Sequence, residues 1–128
     1  MSDPIFLTLE QVQIAHAMGI KRFGGLSGVR DEGMLEAATI QPQNVYFYGH
    51  GDLFDVAAAY AYHIAESQAF FDGNKRAAVN CALTFLLLNG VRVRSESTEL
   101  YEAMMAIAQK RMDRVGLAQV LRGLAVNA

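Results

Sequence analysis

One stretch concentrates chemistry: Gln68-Ala69-Phe70-Phe71-Asp72-Gly73-Asn74-Lys75-Arg76. Gly73 and Asn74 open a helix, and the first backbone N–H groups of a helix have no partner within it. The helix dipole adds positive character there, so the start is a cradle for anions, phosphate above all. Gly73 lets a ligand come close to the backbone. Arg76 can grip phosphate oxygens with two parallel N–H groups, and Lys75 adds a point charge. Asp72 can hold a hard cation such as Mg²⁺, which would bridge phosphate oxygens. Phe70 is expected to anchor the loop in the core. The same residues also fit a plain helix start followed by a solvated basic turn, and their chemistry alone leaves both readings open. A Walker A loop is excluded, because Gly73-Asn74-Lys75 lacks the leading glycine spacing and a following Ser or Thr.

The elements on either side must position this stretch. Asp52 caps a helix over Leu53–Ser67 that is apolar nearly all round, as expected for a central helix. A second apolar helix runs from Asn74 to Asn89 and stops at Gly90. The site therefore lies at the junction of two helices that should pack together as the core. Upstream, Thr8 and Gln11 form a capping box for a first helix reaching about Gly19, with an apolar stripe of Leu9, Val12, Ala15 and Met18. A glycine-rich loop runs from Phe23 to Gly28. Asp31 caps another helix, which should end before Pro42. Gln43 to Gly51 includes the β-prone Val45-Tyr46-Phe47-Tyr48 and reads as a short extended flap. Val91 to Arg94 is short and extended. A fifth helix is expected over Glu99 to Arg111, and Asp113 opens a sixth that ends near Leu124. The fold class is all-α, a compact bundle of about six helices with at most a small β flap, and residues 1–128 read as a single domain.

Bulk properties narrow the function. Hydrophobic residues make up 52% of the 128 and charged residues 19%, enough to bury one core and too apolar for a disordered chain. The formal net charge of -2 disfavours a nucleic-acid partner. One cysteine, Cys81, excludes an internal disulfide or a multi-thiolate metal site, and it reads as buried filler. The N-terminus lacks the basic region of a secretion signal, and the apolar run Cys81–Leu88 is far below the ~20 residues that span a bilayer. No membrane association and a cytoplasmic location are expected.

The loop is similar to the Fic/Doc signature H-x-F-x-[DE]-x-N-[GK]-R, matched here by Phe70, Asp72, Asn74, Lys75 and Arg76. Lys21-Arg22-Phe23-Gly24-Gly25, Gly28-Val29-Arg30-Asp31, Pro42-Gln43-Asn44 and Leu88-Asn89-Gly90 resemble the Doc branch in order along the chain. The resemblance implies a compact helical Fic/Doc fold and an enzyme that uses ATP and Mg²⁺. Asp72, Lys75 and Arg76 would be catalytic. Gly73, Asn74, Lys75 and Arg76 would bind phosphate, and Asp72 the metal. Lysine at position 75 is the Doc-type choice, where AMP-transferring members usually carry glycine. Doc-type members are toxins of toxin–antitoxin modules, associated with phosphorylating a threonine of elongation factor Tu and so stopping translation. The Gln43–Gly51 flap would pin the target by strand addition. The partners implied are an antitoxin protein and elongation factor Tu.

Gln68 departs from the signature, which has histidine there as general base for the target hydroxyl. An amide cannot accept a proton near neutral pH. The chain as written should lack most family activity, either through a detoxifying substitution or as a natural binding module that holds antitoxin or nucleotide. Another group acting as base, or AMP transfer, are the remaining alternatives. His63 lies five residues before Gln68, ~7.5 Å along a helix, and suits packing or a helix C-terminal charge better than base chemistry. His50 in the flap could touch a target, and His16 reads as surface or core trim. The family's inhibitory pattern [ST]-x-x-x-E-[GN] is met by Ser95 and Glu99 but fails at Leu100, so inhibition should come from a separate antitoxin docking in an apolar groove.

Overall fold

The computed structural model describes residues 2–94 and 98–126. They form α1 (Leu9–Phe23), α2 (Glu32–Phe47), α3 (Leu53–Ser67), α4 (Asn74–Leu88), α5 (Thr98–Ala108) and α6 (Arg114–Leu124), with a two-residue antiparallel pair of β1 (Arg92–Val93) and β2 (Ala125–Val126). The architecture is all-α. Ser95, the first residue of the partial inhibitory pattern, lies outside the described residues, whereas Leu100 is a buried residue of α5.

Local capping chemistry starts the helices. Thr8 and Gln11 satisfy each other's backbone N–H groups at 3.1 and 2.8 Å. Asp31, Asp52 and Asp113 each accept a backbone N–H from the first turn they precede. Each such cap contributes on the order of 1 kcal/mol to its helix.

Helix α3 is the centre. Val56, Ala57, Ala58, Tyr60, Ala61 and Ile64 are buried on it, and it packs against α2, α4 and α6. Its largest contact is with α4, whose Ala77, Ala78, Cys81, Ala82, Phe85 and Leu86 face the core. The many alanines let the two backbones run close together. Burial pushes the Cys81 thiol up to about 12, in line with an inert packing role. The buried Tyr60 hydroxyl accepts the Leu7 N–H at 2.8 Å, tying the N-terminal segment to the core.

Two sequence expectations fail. Helix α2 does not end before Pro42 but continues to Phe47, so Gln43 to Phe47 are helical and there is no extended flap. Proline removes one backbone hydrogen bond and is costly inside a helix. Tertiary burial offsets that loss: Pro42 is buried, and Tyr46 and Phe47 meet the ring of Phe6 at 5.9 and 5.7 Å. The small sheet instead joins Arg92–Val93 to Ala125–Val126. Of the expected α1 stripe, Leu9, Val12 and Ala15 do meet the core and only Met18 departs. Val12, His16 and Gly19 are buried, whereas Met18 is 65% exposed.

Candidate active site

Residues 68–73 cross from the end of α3 to the start of α4, and the junction opens as a cleft of about 400 Å³. Its walls are Ala65, Gln68, Phe71, Asp72, Gly73, Asn74, Lys75 and Arg76. Every site residue expected from the sequence is therefore brought to one place. Gln68 sits at the C-cap of α3 in the left-handed conformation, φ 47° and ψ 39°, with its side chain exposed. Lys75 is exposed and Arg76 half-buried.

The start of α4 is uncapped by any side chain. Gly73 holds φ 73°, and a Cβ there would come within 3.2 Å of Ile20 Cδ1 and 3.4 Å of an Arg76 nitrogen. Glycine is needed for conformation and space alike. The Arg76 guanidinium donates to Gly24 O at 3.0 Å and lies 5.2 Å from the Phe23 ring centre. Among the described residues, its Nε is buried without a hydrogen-bond partner. An uncapped helix start beside an incompletely paired guanidinium matches the needs of a polyanion.

The loop's carbonyls are turned back to the protein. Arg30 donates to Gln68 O, the backbone N–H groups of Arg30 and Asp31 to Ala69 O, and Asn74 Nδ2 to Phe70 O. His16 Nε2 lies 2.7 Å from Asp72 O, so the tautomer protonated on Nε2 donates to that carbonyl. With their acceptor oxygens occupied inward, these peptides add less negative potential to the cleft. Phe70 is buried and stacks on the His16 ring at 3.7 Å between centres, the two planes nearly parallel. Asn74 staples the loop from its own side chain, because its Oδ1 also accepts the Phe70 N–H at 3.0 Å.

Among the described residues, Asp72 is the one carboxylate lining the cleft. Its Oδ1 accepts the Gly73 N–H at 2.9 Å and its Oδ2 the Leu26 N–H at 3.3 Å. Gly25 packs so closely that a Cβ would stand 2.7 Å from Asp72 Oδ2. Among the described residues no three His, Cys, Asp or Glu side chains gather into a metal-ligating group. Magnesium keeps several waters and shares substrate phosphates, needing only one or two carboxylates. The donor set thus fits that ion together with a phosphate chain.

The other histidines stay out of the cleft wall. His63 is half-buried on α3 with its ring edge-on to Tyr62, and burial, then Arg114, lowers its pKa. His50 is exposed beyond the end of α2. Sequence reasoning missed His16 and Arg30 as parts of the loop's support. The spacing of His16 from Val12 and Gly19, about one turn along α1 from each, was the available signal. Arg30 stood in a family-like segment, Gly28-Val29-Arg30-Asp31, but nothing local tied it to the loop, because its contact spans 38 positions.

Residues 6–86 match the Fic/DOC family. Over 116 residues the chain is 38% identical to a protein named protein kinase doc from Escherichia phage P1, covering 90% of this chain and 91% of that one. It is also 38% identical over 111 residues to a protein named toxin Doc from Mycolicibacterium smegmatis, covering 83% and 85%. With an ordered match that spans the loop and the two helices holding it, the chain belongs to the Fic/Doc family.

Proposed function

We propose that this chain is the toxin of a toxin–antitoxin module, built on a protein phosphotransferase site and impaired because Gln68 stands where the general base is required. The observation that carries the proposal is the cleft at the α3–α4 junction, which an uncapped helix start, Lys75 and Arg76 line together with Gln68. ATP is the phosphate donor this cleft suits. Gly73, Asn74, Lys75 and Arg76 hold its phosphates, and Asp72 holds a magnesium ion. The ion's contribution would be to offset phosphate charge. Lys75 favours phosphate over AMP transfer through the family resemblance. The same resemblance names a threonine of elongation factor Tu as target, with arrest of translation as the result. The names of the relatives support the kinase and toxin readings.

Phosphoryl transfer depends chiefly on positioning and charge stabilisation. In the reaction a target hydroxyl forms a bond to the terminal phosphorus, the bond to the bridging oxygen breaks, ADP leaves, and the hydroxyl proton passes to a base. The protein's part is to align the phosphates on α4 and present residue 68 to the hydroxyl. Glutamine can orient that hydroxyl but cannot take its proton. For regulation, the depression of about 560 Å³ between α1 and α4 offers an apolar seat for an antitoxin segment. Ile14, Met18, Phe23 and Leu88 stand exposed along it, and Phe23 also touches the Arg76 guanidinium.

The test is Gln68→His. A positioned general base typically contributes about 10²–10⁴-fold, and an imidazole titrates near neutral pH. Growth arrest on induction and labelled-phosphate transfer to elongation factor Tu should both appear or rise by that factor. A folded Gln68→His chain that is harmless and transfers nothing would overturn the phosphotransferase reading and leave a binding module. Transfer of label from the α-phosphate instead would identify an AMP transferase.

A further inference from the structure

Residue 68 is where the proposed chemistry turns, yet it lies at a helix end in a conformation that side-chain-bearing residues seldom occupy. Something must keep the peptide that follows it in one orientation. The backbone hydrogen bonds of the neighbouring segment do not reach it: Arg30 N and Asp31 N close on Ala69 O at 2.6 and 3.0 Å, and Phe71 N closes on Gly28 O at 3.3 Å. Side chains hold that peptide at both ends: its Ala69 N–H donates to Ser67 Oγ at 3.3 Å, and its Gln68 carbonyl is met by Arg30. Arg30 Nε and Nη2 both donate to it, at 3.0 and 2.7 Å.

We infer that Arg30 is a positioning residue for the side chain at position 68, its guanidinium fixing the peptide plane after that residue and so aiming the side chain into the cleft. Two donors on one acceptor fix direction as well as distance, and a charged donor makes each bond stronger than a neutral one. Arg30 does not line the cleft, so it acts through residue 68 without touching nucleotide. At the far end of the loop the buried His16 performs the matching task on Asp72 O. Arg30 is the better residue to test, because it is exposed and its loss leaves the core intact. The catalytic part of this inference rests on the phosphotransferase reading; its structural part does not.

Two measurements separate those parts. In the unmodified chain, Arg30→Ala should speed amide hydrogen exchange at Ala69 and Phe70 about tenfold or more, with α3 and α4 protection and Tm unchanged. Unchanged exchange at Ala69 overturns the inference whatever the enzyme does. In a Gln68→His background, Arg30→Ala should lower kcat by about tenfold to a hundredfold, the scale of a small misplacement of a reacting group. The KM for ATP should stay the same, and Arg30→Lys should recover part of the rate. A raised KM with kcat intact would make Arg30 a nucleotide contact and overturn the positioning role. If Gln68→His transfers nothing, the phosphotransferase reading fails, while the exchange measurement still decides what Arg30 does.

Discussion

Helices α3 and α4 lie side by side at the centre of the molecule and begin in opposite ways. The start of α3 is closed. Asp52 and Asp55 exchange side-chain-to-backbone hydrogen bonds at 2.9 and 3.0 Å, and Arg122 from α6 bridges both carboxylates. The start of α4 is open, with a left-handed glycine, no side-chain cap and a partly unpaired arginine beside it. Both helices bury the same kind of apolar face, so core packing does not account for the difference. A helix start that serves stability is satisfied from within the chain. One that serves binding keeps its donors for something else.

Substitutions at the two starts should therefore have opposite signatures. The larger effect is expected at α4. Arg76→Ala should weaken ATP binding by about 1.5–3 kcal/mol, the worth of a charge-assisted contact, or roughly tenfold to over a hundredfold in Kd. Calorimetry with ATP and Mg²⁺ on folded protein is the measurement. Binding unchanged in Arg76→Ala would remove this residue from the phosphate site.

A smaller effect, on stability alone, is expected at α3. Asp52→Ala should lower folding stability by about 0.5–2 kcal/mol as a lost N-cap and leave nucleotide affinity as it was. The exposed Arg122 pair adds little. The acid limb of the stability curve sharpens the contrast. Burial alone would raise the Asp52 carboxyl; the Asp55 amide and Arg122 outweigh it and hold the group below the ordinary carboxylate range. The unfolded chain then binds the proton more tightly. Stability from Asp52 is fully present above the ordinary carboxylate pKa and is lost as pH falls through the lowered folded value. In Asp52→Ala that part of the acid limb should flatten, which denaturant titrations at stepped pH would reveal.

What was legible in the sequence was local. Thr8, Asp31, Asp52 and Asp113 announced their helices because capping acts within three or four residues. The α3–α4 core showed in apolar runs, and the cleft residues are contiguous from Gln68 to Arg76. What escaped was decided by distant contacts. Pro42 reads as a stop until Phe6 and the core surround the helix around it. The Val45–Tyr48 stretch has strand propensity, but propensity is a weak prior against such packing. The β1–β2 pair joins segments more than thirty positions apart. His16 and Arg30 support the loop from α1 and from the approach to α2, across 56 and 38 positions.

The comparison between the two helix starts can be read in one titration. Backbone amide resonances of the unmodified chain are followed by NMR as ATP and Mg²⁺ are added to millimolar concentration. The amides of Gly73, Asn74, Lys75 and Arg76 should shift together and saturably, while those of Leu53, Phe54 and Asp55 at the capped start of α3 stay in place. Shifts confined to other surfaces, or none at all in a folded sample free of antitoxin, would contradict the assignment of the open start of α4 as the nucleotide-phosphate site.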